Sequence, residues 1–486
     1  MDAETSNELA WKYLQAGETN LALEHALRAH ELKRNNLDFL NTLGVAYGET
    51  GQLDLAEATF RKVLKRKPGH LNALVNLAKS LEKQERLDEA RPLYERALAI
   101  EPAFPKLATN LARIYSLRGE TARAKGLLER SAKNIDPQDL AMALALYEAD
   151  AGETDRALAR LRAAVASHAD WKLARSSLAH LLLATAHWRE GWTEYVRRRN
   201  LFDPRPTELP EPLAARLDGR SVLLRGEQGI GDVLFFLRFA PLLHRRGARL
   251  VLACERKLHP VVQRNAILDE VRDGDAVTGF DRAVWTGDLP ALLESEETPP
   301  AWPLEVDAQA KQDAGARLAG LGPPPYLAVT WRAGTDTVRG REFGAERIAL
   351  TKSAPPRELG AALRGWRGTT ILLQRGARAQ DGAEFAAGFG APCHDLSALG
   401  EDLRALLAVL SLVDEYVSVS NTNIHLLAGI GRSARVLVPF PPEWRWLRRD
   451  GRSPWFPDFP VYRQPASRDW SAPLAALRAD LGGAVS

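Results

Sequence analysis

Cysteine is nearly absent. The chain carries two, Cys254 and Cys393, far apart and without a C-x-x-C spacing or a histidine-rich neighbour. That argues against a disulfide scaffold or a structural zinc site. Long apolar runs are missing too, since none approaches the ~20 residues that span a bilayer. The start, MDAETSNEL, is polar and acidic, unlike a secretory signal. Neither sign of charge dominates: 65 Lys and Arg face 62 Asp and Glu, for a formal charge of +3. Broad nucleic-acid binding, which needs a concentrated basic surface, is disfavoured. What the chain does have is length and apolar content. Its 486 residues suggest about three domains at roughly 150 residues each. A hydrophobic fraction of 45% excludes global disorder. The expectation is a soluble, cytoplasmic, multidomain protein.

Internal repetition organises the first part. Ala10, Gly44, Ala78 and Ala112 each lie 34 residues after the last, followed three positions on by Tyr13, Tyr47, Leu81 and Tyr115. Ala22, Ala56, Ala90 and Ala124 keep the same period, as do Phe60 with Tyr94 and Pro68 with Pro102. The register slips by one residue to Ala145 and Ala157, and Ala179 and Gly191 restore it. Small residues let the two helices of a hairpin approach closely, while aromatics fill the space between hairpins. The pattern resembles the tetratricopeptide repeat (TPR) and implies about six helical hairpins over residues 1–200, stacked as a solenoid. The concave face of such a solenoid commonly binds a peptide or protein segment, the alternative being a spacer or oligomerisation arm.

A proline-rich stretch, LFDPRPTELPEPL, reads as a linker at 201–218. Beyond it short apolar runs alternate with helical patterns, the signature of parallel α/β sheets. SVLLR and RLVLAC fall in a first lobe, 219–310. YLAVTWRAG, TTILLQ, EYVSVS and RVLVPF fall in a second, 322–465, before a closing helix at 466–486. The expected architecture is a helical solenoid followed by two Rossmann-like lobes facing across a cleft.

Ligands of open α/β sheets bind beyond the carboxyl ends of the strands. Three such ends carry suggestive residues. In RGEQGIGDV, Glu227, Gln228, Gly229 and Gly231 form a glycine loop and Asp232 opens the next helix. Asp232 is either a helix cap or a carboxylate aimed into the cleft as a general base, and the two roles are hard to combine. In EYVSVSNTNIHLLAGIG, Ser420, Asn421, Thr422, Asn423 and His425 surround a helix start whose N–H groups, if uncapped, would cradle a phosphate. After YLAVTW come Arg332, then Arg339 and Arg341, then Lys352, with Gln374 closing a neighbouring strand. Arginine suits phosphate recognition. Trp444, Trp446 and Trp455 read as loop packing, with Trp444 the candidate for stacking on a base or sugar. Asp273-Gly274-Asp275 resembles a metal-binding D-x-D but reads as a turn, so no metal site is expected.

GEQGIGDVLFFLRFAPLL, the polar loop before His425 and PFPPEWRWLRRDGRSPWFPDFPVYRQ together resemble bacterial TPR glycosyltransferases. Their catalytic region is similar to the heptosyltransferase-like (family 9-like) group of the two-lobed GT-B type. The resemblance implies Asp232 as catalytic base, and a second lobe that holds a nucleotide-sugar through Arg332, Lys352, Gln374 and residues 420–425. It implies inverting transfer without a metal or other cofactor, to a protein or glycan, flagellin among the possible acceptors, recruited by the repeats. One departure stands out: Ser420 occupies the place of the family's aspartate and Asn421 that of its threonine. A non-catalytic scaffold with a degenerate transferase fold is therefore the alternative.

Overall fold

The computed structural model describes residues 1–84, 86–104, 106–197, 211–227, 229–274, 279–333, 352–376, 379–440, 442–446, 452–465 and 467–482. The chain forms two compact units, Met1–Arg160 and Leu161–Ser486.

Among the described residues the first unit's regular structure is helical: α1 Ala3–Ala16, α2 Thr19–Leu32, α3 Leu37–Glu49, α4 Leu53–Arg66, α5 Leu71–Lys83, α6 Leu87–Ile100, α7 Leu107–Leu117, α8 Thr121–Ser131 and α9 Pro137–Asp150. Helix α10 Thr154–Ser167 carries the boundary. Each helix from α1 to α8 packs on the next in the chain. The small residues of the repeat do what their size requires. A Cβ on Gly44 would lie 2.5 Å from the Phe60 ring, so glycine is what lets α3 and α4 close on each other. Capping also crosses repeats. His70 Nδ1 accepts from the Ala73 N–H at 3.3 Å, which starts α5, while its Nε2 lies 3.1 Å from Asp38 on α3. That pairing fixes the imidazole as the Nε2–H tautomer.

The second unit begins with a hairpin, α11 Lys172–Ala184 and α12 Trp188–Val196. Its Trp188, Trp192 and Tyr195 share one core with Phe235, Phe236 and Phe239 of the α/β region. The compact units therefore divide between Arg160 and Leu161, one hairpin earlier than the repeat period implies, because the aromatic face of α12 is buried in the following region. The first sheet contains β1 Ser221–Arg225, β2 Arg249–Cys254, β3 Glu270–Asp273 and β4 Arg282–Trp285, with α13 Ile230–Leu237, α14 Ala240–Arg245, α15 His259–Val262 and α16 Leu289–Leu292 between and after them. Next, α17 Ala308–Leu321 leads into the second sheet. This contains β5 Tyr326–Thr330, β6 Thr369–Leu372, β7 His394–Asp395, β8 Glu415–Val419, β9 Arg435–Val438 and β10 Val461–Arg463. Helices α18 Pro356–Leu363, α19 Ala379–Phe389, α20 Leu403–Leu410, α21 Thr422–Gly429 and α22 Ser471–Gly482 accompany it. Helix α17 packs on α20, so the residues just before 322 belong with the second sheet.

The strand orders are β3-β2-β1-β4 and β10-β9-β8-β5-β6-β7, and every described pairing within the named strands is parallel. Val329 pairs with Leu372 on one side and Val417 on the other, and all three are buried. Such near-continuous apolar strands are what parallel sheets covered on both faces require. The order of connection reverses beside β1 in the first sheet and between β5 and β8 in the second. These reversals are where open α/β sheets leave a crevice at their carboxyl ends.

Candidate functional site

The three loops singled out by sequence follow β1, β5 and β8, so all three lie at those reversals. Two of them meet directly. A Cβ on Gly231 would stand 3.2 Å from the His425 ring and 3.5 Å from Thr422. Glycine at 231 lets the first turn of α13 approach the first turn of α21. Gly229 is the N-cap of α13, Glu227 is half-buried before it, and Gln228 lies outside the described residues.

Asp232 stands at the third position of α13, reaching back to its N-cap. Its Oδ2 faces the Gly229 N–H at 3.4 Å, and its Oδ1 is paired with Arg445. The side chain keeps 28% exposure, so it is capped, paired and still open to solvent. Arg445 lies in the helical turn Trp444–Trp446, with its guanidinium 4.7 Å from the Phe235 ring centre and 4.5 Å from that of Trp444. It also pairs with Glu443 Oε1. Glu443 Oε2 lies 2.6 Å from Lys352 Nζ and accepts from the Ser420 hydroxyl at 3.3 Å.

The result is a file of alternating charge, Lys352–Glu443–Arg445–Asp232, joining the end of the second sheet to α13 of the first. Burial disfavours the Glu443 carboxylate, but Lys352 and Arg445 outweigh it and hold the group well below the usual carboxylate range. For Arg445 burial is likewise outweighed, by Glu443 and Asp232, and the guanidinium stays charged. His425, edge-on to Phe235 and Phe456, is pushed the other way. Burial first, then Arg445 and Arg238, hold its pKa well below the ordinary value, so the ring is neutral. Arg238 itself is buried, donating to the carbonyls of Phe235, Pro299 and Trp455, and burial pulls its pKa down to about 9.

Several expected ligand contacts are committed elsewhere. The start of α21 is capped: Asn421 Oδ1 accepts from the N–H groups of Asn423 at 3.0 Å and Ile424 at 3.4 Å. Asn421 Nδ2 donates to Ser418, and Asn423 Nδ2 donates to Tyr416, which also bonds Thr330. These asparagines therefore brace the carboxyl ends of β5 and β8 and do not form an open cradle. Gln374 is buried, with Oε1 accepting from the N–H groups of Trp331 and Arg332 and Nε2 donating to the carbonyls of Arg332 and Arg375. It has no atom left for a donor molecule. Trp444 is packed edge-on against Trp192, Tyr195, Phe235 and Trp455, so it serves the core like its neighbours and has no free face for stacking.

Arg332 extends along the sheet end, donating to the Gly376 carbonyl at 2.6 Å, and Lys352 is 33% exposed. Arg339 and Arg341 lie outside the described residues, as does Asp275. Gly274 after β3 has a left-handed φ of 79°, in keeping with a turn. Glu443 and Arg445 are the residues that sequence reading passed over. Their signal was two opposite charges inside the aromatic string PEWRW, where attention went to the rings.

Among the described residues no group of three or more His, Cys, Asp or Glu is placed to hold a metal, and no helix is long and apolar enough to cross a membrane. Burial pushes the Cys254 thiol up to about 12 and Cys393 up to about 11, which disfavours the thiolate form of both at neutral pH.

Two family models of the tetratricopeptide repeat match the chain, at residues 41–108 and 81–147. The amino-terminal helices are thus tetratricopeptide repeats, modules suited to protein interaction. Solved structures similar to the chain are repeat proteins as well. A thermophilic TPR protein of Thermus thermophilus is 22% identical, with 37% of this chain and 99% of that one covered and a TM-score of 0.33. A tetratricopeptide repeat protein of Parabacteroides merdae is 15% identical, covering 42% and 81%, with a TM-score of 0.37. The pilF protein of Pseudomonas aeruginosa is 19% identical, covering 41% and 91%, also with a TM-score of 0.37. No curated protein matches the chain.

Proposed function

We propose that the α/β region is a glycosyltransferase of the two-lobed type, passing a sugar from a nucleotide-sugar to a hydroxyl of a protein or glycan recruited by the repeats. One observation carries the reading. The loops after β1, β5 and β8 sit at the reversals of two parallel sheets and bring a partly exposed carboxylate, Asp232, into one file of charges with the cation Lys352, while Arg332 stands just past the end of β5. In the reaction Asp232 accepts the acceptor's hydroxyl proton as that oxygen attacks the anomeric carbon. The bond from that carbon to the phosphate oxygen breaks, and the nucleotide leaves with the electron pair. Lys352 and Arg332 meet the phosphate's growing charge, the kind of fixed electrostatic stabilisation that is often the largest catalytic contribution. To act, Asp232 loosens its hold on Arg445 or on the Gly229 N–H.

A second reading, a repeat scaffold on a transferase-like fold, is favoured by the internal commitment of Asn421, Asn423 and Gln374 and by serine at 420. Calorimetry of the full chain against nucleoside diphosphates, diphosphate-linked sugars and a monophosphate-linked sialic-type donor separates them. The transferase reading expects selective binding of one donor, weakened at least about tenfold by Lys352→Ala, with Asp232→Asn binding normally but losing transfer. The absence of binding across the panel would establish the scaffold.

A further inference from the structure

The file of charges has a direction. At one end Lys352 stands at the rim, one third exposed. At the other, Asp232 offers a carboxylate to the same crevice. Between them Arg445 is buried and Glu443 is largely covered, with its side chain 11% exposed, and neither is expendable to the other. Without Glu443 the guanidinium would lose its partner on the side of the second sheet, and without Arg445 the Glu443 carboxylate would be left with Lys352 and the Ser420 hydroxyl. The rings of Phe235 and Trp444 leave the guanidinium little freedom except in its own plane, where both carboxylates lie.

The same geometry accounts for serine at the end of β8. An aspartate at 420 would set a second carboxylate against Glu443 Oε2, which the Ser420 hydroxyl approaches to 3.3 Å. The negative charge at that strand end is already delivered by the segment after β9.

We propose that Glu443 and Arg445 are positioning residues for Asp232: Lys352 holds Glu443, Glu443 holds Arg445, and Arg445 fixes the carboxylate at the start of α13. The inference rests on the transferase reading only for what Asp232 then does.

The test needs no donor. In the full chain labelled with 13C at the aspartate carboxyl carbons, the Asp232 resonance is the one missing from Asp232→Asn. Glu443→Gln, which keeps the shape and removes the charge, displaces that resonance. So does Lys352→Met, two links away, while Lys352→Arg returns it towards its native position. Ser420→Asp, which draws Lys352 from Glu443, displaces it in the same sense as Lys352→Met. Glu401→Gln, which breaks the Lys257–Glu401 pair, leaves it in place. If Glu443→Gln does not fold, Glu443→Asp is the variant to read. An unmoved Asp232 resonance in folded Glu443 and Lys352 variants would overturn the proposal. That result would leave the transferase reading standing, and a failed donor screen would leave a positive relay result standing.

Discussion

The two compact units differ in where their charge lies. In the repeat unit many ion pairs run over the surface: Arg86 bridges Glu57 and Glu89, Arg61 joins the same two carboxylates, and Lys83 meets Glu49. Such pairs are screened and contribute little to stability. In the α/β unit, Arg445 is buried beside aromatic rings and its partner Glu443 is largely covered. Buried pairs cost desolvation on formation, and losing one partner is strongly destabilising. The repeat unit is built from local contacts, and its buried carboxylate Glu148 is met by Arg160, whose side chain stays 36% exposed. The α/β unit takes on the expense of interior charge at the crevice where its two sheets end. That difference marks the crevice, more than the repeats, as the place where chemistry would be found.

The contrast can be broken or sharpened by experiment, because tryptophan separates the units: all 12 tryptophans except Trp11 lie beyond Arg160. Fluorescence therefore follows the α/β unit, and far-ultraviolet circular dichroism weights the helical repeats. The largest effect is expected from Trp192→Ala. By sequence period Trp192 belongs to a repeat, yet it is buried against Phe236, Phe239, Trp444 and Trp455. The substitution should cost about 3–5 kcal/mol in the fluorescence transition and leave the repeat transition in place. A shift in the repeat transition instead would return the sixth hairpin to the solenoid.

Gly44→Ala should act on the other unit. The added methyl meets the Phe60 ring, with an expected cost of about 1–3 kcal/mol read by circular dichroism and not by fluorescence.

The smallest effect concerns pH. His425 has a folded-state pKa well below its unfolded value, so from about pH 6.5 downward the unfolded chain binds a proton that the folded unit refuses. Stability of the α/β unit is full above that range and falls on acidification, by up to about 1.4 kcal/mol per pH unit. Glu443, also depressed, contributes stability present above about pH 4.3 and lost as pH falls towards its folded value. His425→Gln should flatten the slope between about pH 5 and 6.5 in denaturant titrations followed by fluorescence. An unchanged slope would show that His425 is protonated in the folded protein.

What sequence revealed follows from distance along the chain. Gly44 and Phe60 are 16 residues apart, and their contact recurs in kind with each repeat, so the period alone exposes it. The strands were legible because parallel sheets need continuous apolar runs, and their carboxyl-end loops were legible from glycine and asparagine. The relay was not. Asp232 and Arg445 are 213 residues apart, and nothing local to either predicts the other. Asn421 and Gln374 misled for a related reason. Polar side chains beside a crevice can face the ligand or brace the loop, and only the positions of Tyr416, Ser418 and the Trp331 backbone decide between them.

The aromatic core also sets an order of events during synthesis. Helices α12 and α13 are completed by Trp444 and Trp455, which leave the ribosome more than two hundred residues later. The repeats, whose partners are at most a few dozen residues away, can fold as they emerge. The nascent α/β unit must instead wait with Trp188, Trp192 and the Phe235–Phe236 pair uncovered. Over that interval its uncovered aromatic surface is prone to aggregation, and slowed translation between residues 240 and 440 should raise that aggregation without touching the repeats.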